Sequence, residues 1–495
     1  MPGTVGDDVL IALVLFGAYP LVVNAYQYLL IGGVRWKNHY GSVGLCLPRV
    51  AILVPAWNEA TVLDATIDRL MALDYPTERL RIYVVDDAST DNTPELMAAK
   101  AEQYPGSVYH LRRDKGGEGK AHTLNHGLAV ILGDDWMEAL LIMDADVIYR
   151  TDSLRKMTRH LADDQVGAVT AYIKEGSQPS GTLTRFIEYE YITAQAAGRR
   201  AQNVLGAVAC LAGGAQLHSR ANLEALGGRI DTSTLAEDTC TTFNTQLGGR
   251  KVVFEPNAVA LAEEPERIIG LWKQRVRWAR GNVHVTSAYR KVWFHRSSVH
   301  RLGGISFGLI WFSIFLLPLT MIVSSISLVI LFFTDLANAQ EVFRALWIIN
   351  ALCFVFTTMF TLLIDTSAGR RTWVQGIFFP GLISLMIIVY ACFPVAFRWL
   401  FDHFEDVTHW HLSTGQRHVF IFFAYVWVAG CMLAAYAVKK VDDAGAHRTA
   451  SALLYVVGYG PVLCVITLVA YIKQLRHAEM KWDKTEKTGR VAVDG

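Results

Sequence analysis

Six stretches of this 495-residue chain carry no Asp, Glu, Lys or Arg, and each is long enough to cross a bilayer. A bilayer core of about 30 Å takes roughly 20 helical residues. The stretches cover residues 9–34, 302–334, 345–364, 372–397, 419–438 and 450–472. The residues between the first and the second stretch have ordinary globular composition. The sequence therefore predicts one water-soluble domain held by membrane-spanning helices.

The boundaries of these stretches predict five regions. They are a transmembrane anchor (1–34), a cytosolic α/β domain (35–270), interfacial amphipathic helices (271–301), a C-terminal transmembrane region (302–472) and a polar tail (473–495). Asp7 and Asp8 precede the first span, whereas Arg35 and Lys37 follow it. Because basic residues favour the cytoplasmic side, we expect a multi-pass protein of the plasma (inner) membrane whose soluble domain is cytoplasmic.

The side of the membrane on which the tail lies stays open. Five C-terminal crossings would leave the tail outside, yet it is rich in Lys and Arg, which favours the inside. Either one of the spans is interfacial or re-entrant, or the tail is an exception to the rule.

Net charge and cysteine spacing argue against two other classes of protein. A net charge of +1 gives no reason to expect a nucleic-acid partner. The seven cysteines include no C-x-x-C pair, so we expect neither a zinc site nor a disulfide framework.

Apolar runs alternate with helical patterns in the soluble part. Runs at 49–55, 81–87, 108–111 and 139–143 are typical of buried strands. Strands that alternate with helices predict a parallel α/β sheet, and such sheets bind ligands at the carboxyl ends of their strands. Polar motifs follow these runs, so we expect the functional site at that edge.

Two pairs of carboxylates fall at the predicted strand ends. Asp86 and Asp87 end the second strand, where one of them could accept hydrogen bonds from a base or ribose; the other interpretation is a helix cap. Asp144 and Asp146 follow the fourth strand. Two carboxylates one residue apart predict a site for Mg²⁺ or Mn²⁺ that neutralises charge on a leaving diphosphate, although a solvated acidic turn has the same pattern.

Three further residues near these ends are candidates for contacts to a nucleotide donor. Trp57 and Glu59 follow the first strand, and Trp57 could either stack on a base or pack in the core. The glycine-rich loop at 116–119 leads to Lys120, which could serve as counter-charge to a diphosphate or lie on a flexible surface loop.

A third carboxylate pair precedes a predicted helix. Glu237 and Asp238 follow a glycine-rich stretch. Carboxylates at a helix start are stabilised by the helix dipole, which is one interpretation. The other is a general base that takes a proton from an acceptor hydroxyl.

The last motif, Gln274-x-x-Arg277-Trp278, lies where the soluble part meets the C-terminal spans. Gln274 shares a helix face with Arg277 and Trp278 at spacings of three and four residues. Arg277 could pair with a diphosphate, and Trp278 could stack on a sugar ring. An interfacial helix fits as well, with headgroup contacts expected from Lys273, Arg275, Arg280, Arg290 and Lys291.

A set of short motifs runs in chain order from Leu53 to Trp278. They are LVPAWNEA, VVDDASTD, GGEGKAHTLNHG, DAD, LAGGAQLHSR, AED and QRVRW. This set resembles the processive, membrane-integrated family 2 glycosyltransferases, which include cellulose, poly-N-acetylglucosamine, chitin and hyaluronan synthases. Two positions depart from the family pattern: Trp57 stands where Tyr is usual, and Ala236 replaces the Thr of T-E-D.

The resemblance implies a GT-A (Rossmann-like) catalytic domain and an inverting, Mg²⁺- or Mn²⁺-dependent transfer from a UDP-sugar. It implies donor contacts by Trp57, Glu59, Asp86, Asp87, Lys120, Asp144 and Arg277. It implies metal coordination by Asp144 and Asp146, and catalysis by Asp238 with Glu237. It implies acceptor contacts by Gly213, Gly214, Gln274 and Trp278.

We therefore expect a processive synthase that exports a β-linked polysaccharide, poly-N-acetylglucosamine-like or a β-glucan, through its own membrane helices. Its expected partners are the UDP-sugar, the growing polysaccharide, the bilayer and an accessory export or regulatory subunit. The alternatives are a single transfer to a membrane lipid, a two-donor hyaluronan-type synthase, and a transporter or receptor with a non-catalytic domain. The intact carboxylates argue against the last.

Overall fold

A computed structural model of the chain describes residues 5–35, 43–178, 180–396, 398–399, 403, 413–478 and 489–491. These form two compact units. The membrane unit comprises Met1–Leu29, Arg267–Arg280 and Leu309–Ala478. The α/β unit comprises Leu30–Glu266, Gly281–Gly308 and Glu479–Gly495.

The helices, in chain order, are α1 (Val5–Leu15), α2 (Tyr19–Ile31), α3 (Ala60–Met71), α4 (Thr93–Gln103), α5 (Lys120–Ile131), α6 (Ser153–Thr158), α7 (Thr182–Tyr191), α8 (Gly198–Leu205), α9 (Arg220–Ala225), α10 (Glu237–Leu247), α11 (Ile268–Ala288), α12 (Ile305–Phe315), α13 (Leu317–Thr334), α14 (Leu336–Ile364), α15 (Thr366–Ile377), α16 (Leu382–Cys392), α17 (Thr414–Asp443), α18 (His447–Val457) and α19 (Tyr459–Leu475). A π-helical stretch at Ile192–Ala197 joins α7 to α8.

The strands are β1 (Val50–Ala56), β2 (Leu80–Asp86), β3 (Val108–Arg112), β4 (Ala139–Ile142), β5 (Ile148–Tyr149), β6 (Val166–Glu175), β7 (Gln216–Ser219) and β8 (Lys251–Ala262). They form one sheet in the order β3-β2-β1-β4-β7-β6-β8-β5. The four predicted strands, β1 to β4, are confirmed and run parallel. The predicted parallel arrangement holds for these strands, but the sheet as a whole is mixed, because β7 is antiparallel to β4 and β6, and β5 is antiparallel to β8.

The parallel half of the sheet is buried, as its continuous apolar runs predict. On one face, α5 contributes Leu124 and Leu128, which pack with Leu53, Val85 and Leu140 of the strands below. This packing fixes the start of α5 at the carboxyl edge of the sheet, next to the ends of β1 and β4.

The membrane unit contains helices long and apolar enough to cross a bilayer. In the described part of the chain there are four of these, Gly6–Ile31 and those at α13, α14 and α17. There are up to six if each bent helix pair counts as one span: α15 and α16 meet at 76°, and α18 and α19 at 99°. Large apolar side chains such as Phe333, Leu352 and Leu433 point outward and are exposed. Apolar surface of this extent is typical of contact with lipid, so the chain associates with a membrane.

The two helix breaks lie against each other. A Cβ added at Gly381 would lie 2.4 Å from the carbonyl carbon of Val457, and one added at Gly458 would lie 2.5 Å from that of Pro380. The backbone N–H of Gly460 donates to the carbonyl of Phe379 at 3.0 Å. Glycine at both breaks therefore allows two backbones to meet directly.

Candidate active site

The loops that follow β1 and β2 are joined by Asn58. Its side-chain oxygen accepts hydrogen bonds from the backbone of Thr90 (2.8 Å) and Asp91 (3.3 Å), and its own N–H donates to Ser89 Oγ at 2.8 Å. Asn58 has a φ of 55°, an uncommon backbone conformation for a residue other than glycine. It lies between the predicted donor residues Trp57 and Glu59, so its hydrogen bonds fix the backbone between them. No pattern in the sequence pointed to this role.

Asp86 is fully buried at the end of β2. Its Oδ1 accepts from the N–H of Ser89 at 2.9 Å, and its Oδ2 lies 3.2 Å from Arg112 Nη1 as an ion pair without hydrogen-bond geometry. Asp86 therefore holds the loop after β2 together. Arg112 ends β3 at the same edge of the sheet.

Asp87 binds the glycine-rich loop. Its Oδ2 accepts from the N–H of Gly117 at 2.9 Å, and its Oδ1 pairs with Arg113. A Cβ added at Gly116 would lie 2.0 Å from the carbonyl oxygen of Asp87, so only glycine permits this approach. The loop is thus attached to the end of β2, although Gly117 and Glu118 are exposed at the surface.

Lys120 begins α5, and its side chain is 7% exposed. Its Nζ pairs with Asp144 and donates to the carbonyl of Gly213 at 3.0 Å. Burial lowers the pKa of Lys120, but Asp144 and Glu237 raise it more, so the net pKa is raised and the ammonium stays charged. Lys120 is thus a buried cation next to a predicted metal ligand.

Glu237 and Asp238 form the first turn of α10. Burial, and then the charge of Asp238, raise the pKa of Glu237 to about 7, while Lys120 lowers it. Asp238 is partly exposed; its Oδ1 accepts from the N–H of Thr239 at 2.7 Å. The two adjacent carboxyl groups therefore differ, since Glu237 can keep its proton near neutral pH and Asp238 reaches solvent.

Gly213 lies at the centre of these groups. A Cβ added there would be 3.4 Å from both Asp238 Oδ2 and Lys120 Nζ. The carbonyl of Gly214 accepts from the hydroxyl of Tyr149 at 3.0 Å. The structure therefore brings together four predicted site residues around Gly213 and Gly214. We call Lys120, Asp144, Glu237 and Asp238 the charged cluster.

Asp146 lies two residues beyond Asp144 in the loop between β4 and β5, and both side chains are partly exposed. Within the described residues, no group of three or more His, Cys, Asp or Glu side chains is arranged to hold a metal ion. Mg²⁺ usually takes one or two protein carboxylates and completes its shell with water and substrate phosphates. Asp144 and Asp146 fit such an ion.

Two residues that the sequence analysis did not identify lie near Asp238. Burial lowers the pKa of Arg199, whose Nη1 donates to the carbonyl of Ala171 at 3.3 Å. Burial, and then Asp238, raise the pKa of the Cys210 thiol well above its usual range. The thiol therefore stays protonated. Neither residue belongs to a motif that could have predicted this position.

The Gln274-x-x-Arg277-Trp278 motif lies on α11, within the part assigned to the membrane unit. Gln274 is buried and accepts from Arg275 Nη1 at 2.7 Å. The Arg275 guanidinium lies over the ring of Trp278, 4.0 Å from its centre, and Trp278 is 41% exposed. The expected headgroup contacts of Arg275 and Arg280 are wrong, because both side chains are buried. The donor and acceptor roles of Gln274, Arg277 and Trp278 stay predictions.

Known proteins resemble this chain in sequence and in fold. A family model described as glycosyltransferase like family 2 matches residues 48–281. The probable glycosyltransferase YdaM of Bacillus subtilis is 30% identical over 360 residues, which are 72% of this chain and 82% of that protein. A poly-beta-1,6-N-acetyl-D-glucosamine synthase of Staphylococcus aureus is 30% identical over 240 residues, 48% of this chain and 56% of that protein.

Among solved structures, the mannosyltransferase PcManGT from Pyrobaculum calidifontis, in complex with GDP-Man and Mn²⁺, has a TM-score of 0.51. Its sequence identity is 22%, and the match covers 77% of this chain and 99% of that one. At this identity the likeness concerns the fold alone. It confirms the predicted GT-A class for the α/β part of the chain.

The fold and these relatives define an enzyme that transfers sugar. The chain belongs to glycosyltransferase family 2.

Proposed function

We propose that this chain is a processive, inverting β-glycosyltransferase that polymerises sugar from a UDP-sugar and exports the polysaccharide through its membrane unit. The observation that carries the proposal is the charged cluster. It combines a base, a buried cation and a candidate metal ligand around the backbone of Gly213, as a transfer from a nucleotide diphosphate requires.

Asp238 is the proposed general base. Its Oδ1 is held by the N–H of Thr239, and its Oδ2 faces Gly213. A base in this position takes the proton of the acceptor hydroxyl as that oxygen attacks the anomeric carbon, and the nucleotide diphosphate leaves on the opposite side. Glu237 is buried, and its pKa of about 7 keeps it partly protonated near neutral pH, which limits the negative charge beside the base.

The proposed contacts to the UDP-sugar donor lie at the carboxyl edge of the sheet. Trp57 is 37% exposed and is the proposed stacking partner of the uracil, while Asp86 and Asp87 order the loops around it. Lys120 supplies positive charge near Asp144 for the diphosphate. Asp144 and Asp146 would hold Mg²⁺ or Mn²⁺, which when bound neutralises charge on the leaving diphosphate. The Mn²⁺ of the mannosyltransferase supports this choice of ion.

Polymer synthesis is supported by the S. aureus relative, whose name states that activity, and export by the long apolar helices. The proposal places the α/β unit in the cytoplasm, where UDP-sugars are available. The positive-inside pattern around the first span favours this orientation.

The test uses purified protein in detergent with Mn²⁺ and radiolabelled UDP-glucose, UDP-N-acetylglucosamine and UDP-glucuronate, singly and in pairs. Products are separated by size. High-molecular-weight label from one donor is expected, and it would identify the sugar. A need for two donors would indicate a hyaluronan-type synthase, and label confined to lipid-sized products would refute processive synthesis.

Asp238→Asn is the matched inactive variant, and Asp152→Asn is its control. Asp152 pairs with Lys156 on α6 and belongs to no predicted site. Polymer from Asp152→Asn but not from Asp238→Asn would tie synthesis to the charged cluster.

A further inference from the structure

The last described residues of the chain, Gly489–Val491, lie on the α/β unit, and we call them the C-terminal strap. Val491 forms an antiparallel bridge with Ser177, and the N–H of Gln178 donates to the carbonyl of Arg490 at 2.9 Å. Main-chain pairing of this kind fixes which strap residue faces inward. The strap therefore has a defined register just beyond the end of β6.

Val491 is the inward-facing residue. It is 8% exposed and packs in an apolar cluster with Ile148, Val259 and Leu261. A Cβ added at Gly176 would lie 2.9 Å from Val491 Cγ1, so the glycine next to Ser177 leaves room for this valine. The strap is thus seated by shape as well as by backbone hydrogen bonds.

Two polar contacts hold the strap residues that precede Val491. The N–H of Gly489 donates to Oε2 of the buried Glu263 at 2.9 Å. Arg490 Nη1 pairs with Glu266 Oε1 at 3.0 Å, and both side chains are half exposed. The contact to the buried carboxylate is therefore the stronger of the two, because the exposed pair is screened by solvent.

Ile148 connects the strap to the proposed metal loop. It begins β5, two residues after Asp146. β5 has only two residues and pairs with β8 alone, at the edge of the sheet. So short an edge strand is weakly held by its own ladder. The packing of Val491 on Ile148 adds to this ladder and to the hydrogen bond from Tyr149 to the carbonyl of Gly214 as a further constraint on the strand that follows Asp144 and Asp146.

We propose that Val491 is a positioning residue, which fixes β5 and through it the loop of Asp144 and Asp146. The metal-binding consequence rests on the proposed function; the attachment of β5 does not. A corollary is that residues 489–491 lie on the same aqueous side of the membrane as the α/β unit. This answers the open question of the side on which the basic C-terminal tail lies.

The test compares Val491→Asp with the conservative Val491→Ile in the full-length protein in detergent. Val130→Asp is the control, because Val130 is 46% exposed on α5. Hydrogen exchange of a peptide covering residues 144–150 is measured without metal or substrate. We expect faster exchange in Val491→Asp and in a chain ending at Thr488, and wild-type exchange in Val491→Ile and Val130→Asp. Unchanged exchange in Val491→Asp would refute the attachment.

Mn²⁺ binding, followed by electron paramagnetic resonance of free Mn²⁺, tests the positioning role. We expect binding about tenfold weaker in Val491→Asp, the lower end of the effect of changes outside the ligand set. Faster exchange with unchanged Mn²⁺ affinity would overturn the positioning role. If hydrogen exchange and Mn²⁺ binding both change as expected but the wild-type protein makes no polymer, the proposed function is refuted and the positioning role of Val491 still holds.

Discussion

Neutralising Lys120 is the most informative perturbation of the charged cluster. Its ammonium is buried, while Asp144 and Glu237 raise its pKa. Lys120→Gln keeps most of the side-chain length and removes the charge. The substitution leaves three carboxyl groups, those of Asp144, Glu237 and Asp238, without the ammonium group that lies beside them.

The stability lost in Lys120→Gln follows from how deeply the ion pair between Lys120 and Asp144 is buried. Removing one partner of a fully buried ion pair costs about 3–5 kcal/mol. The Asp144 side chain is 38% exposed, so solvent screens part of the effect, and about 2 kcal/mol is a fair value for this pair. At about 3 °C per kcal/mol for a domain of this size, the melting midpoint of the α/β unit should fall by about 6 °C.

The assay is thermal unfolding in detergent, without metal or donor, followed by tryptophan fluorescence. Lys115→Gln is the control, because its side chain is 79% exposed and pairs with Glu118 on the surface. Lys120→Arg keeps the charge and should lose less stability than Lys120→Gln. A fall for Lys120→Gln no larger than that for Lys115→Gln would refute the view that the cluster depends on its buried cation.

Four further predictions concern the same site. Asp238→Asn should lower the transfer rate at least about 100-fold while UDP still binds in calorimetry; robust transfer would exclude it as the base. The folded-state pKa of Glu237, about 7, lies above the ordinary 4.5, so its stabilising contribution is complete below pH 4.5 and lost as the pH rises to about 7. Glu237→Gln should thus gain melting temperature relative to wild type on going from about pH 5 to about pH 8, and an equal difference at both pH values would contradict this. Gly116→Ala should weaken UDP-sugar binding and lower the melting midpoint, because the new methyl meets the Asp87 carbonyl. At Gly181 the nearest atom to an added Cβ is Thr184 Oγ1 at 3.9 Å, so Gly181→Ala should leave binding unchanged and lower the midpoint less. Excess EDTA should stop transfer and added Mn²⁺ should restore it; full activity in chelator would exclude a metal at Asp144 and Asp146.

Local patterns account for what the sequence predicted of the fold. Apolar runs identified β1 to β4 because each is continuous and ends in polar residues. In the other half of the sheet, the short strands β5 (two residues) and β7 (four residues) were missed, and so were the long strands β6 (10 residues) and β8 (12 residues). The antiparallel pairing of β5 and β7 depends on contacts between distant segments, which periodicity does not report.

The candidate site, like the fold, was predicted from the sequence only in part. Because polar motifs follow the predicted strands, the sequence predicted that Asp144 and Lys120 would lie near one edge of the sheet. The complete burial of Asp86 and its ion pair with Arg112 could not be predicted, because both depend on how β2 and β3 pack. The roles of Arg199 and Cys210 required the tertiary structure as well.

Hydropathy also missed the breaks within two of the apolar stretches. Residues 372–397 and 450–472 each looked like one continuous span. Pro380-Gly381 and Gly458 were the available signals, since Pro and Gly disfavour helix interiors. Their apolar surroundings keep the average hydropathy high, so a hydropathy window passes over them.

The contact between the two breaks has a consequence for how the protein is made. Peptide groups that leave a helix in hydrocarbon need partners within the protein. The hydrogen bond from Gly460 to Phe379 does not exist until α19 has been synthesised, long after α15 and α16 leave the ribosome. The carbonyl of Phe379 therefore gains this partner only when the second bent pair packs against the first, so we expect the fold around α15 and α16 to be completed late in synthesis.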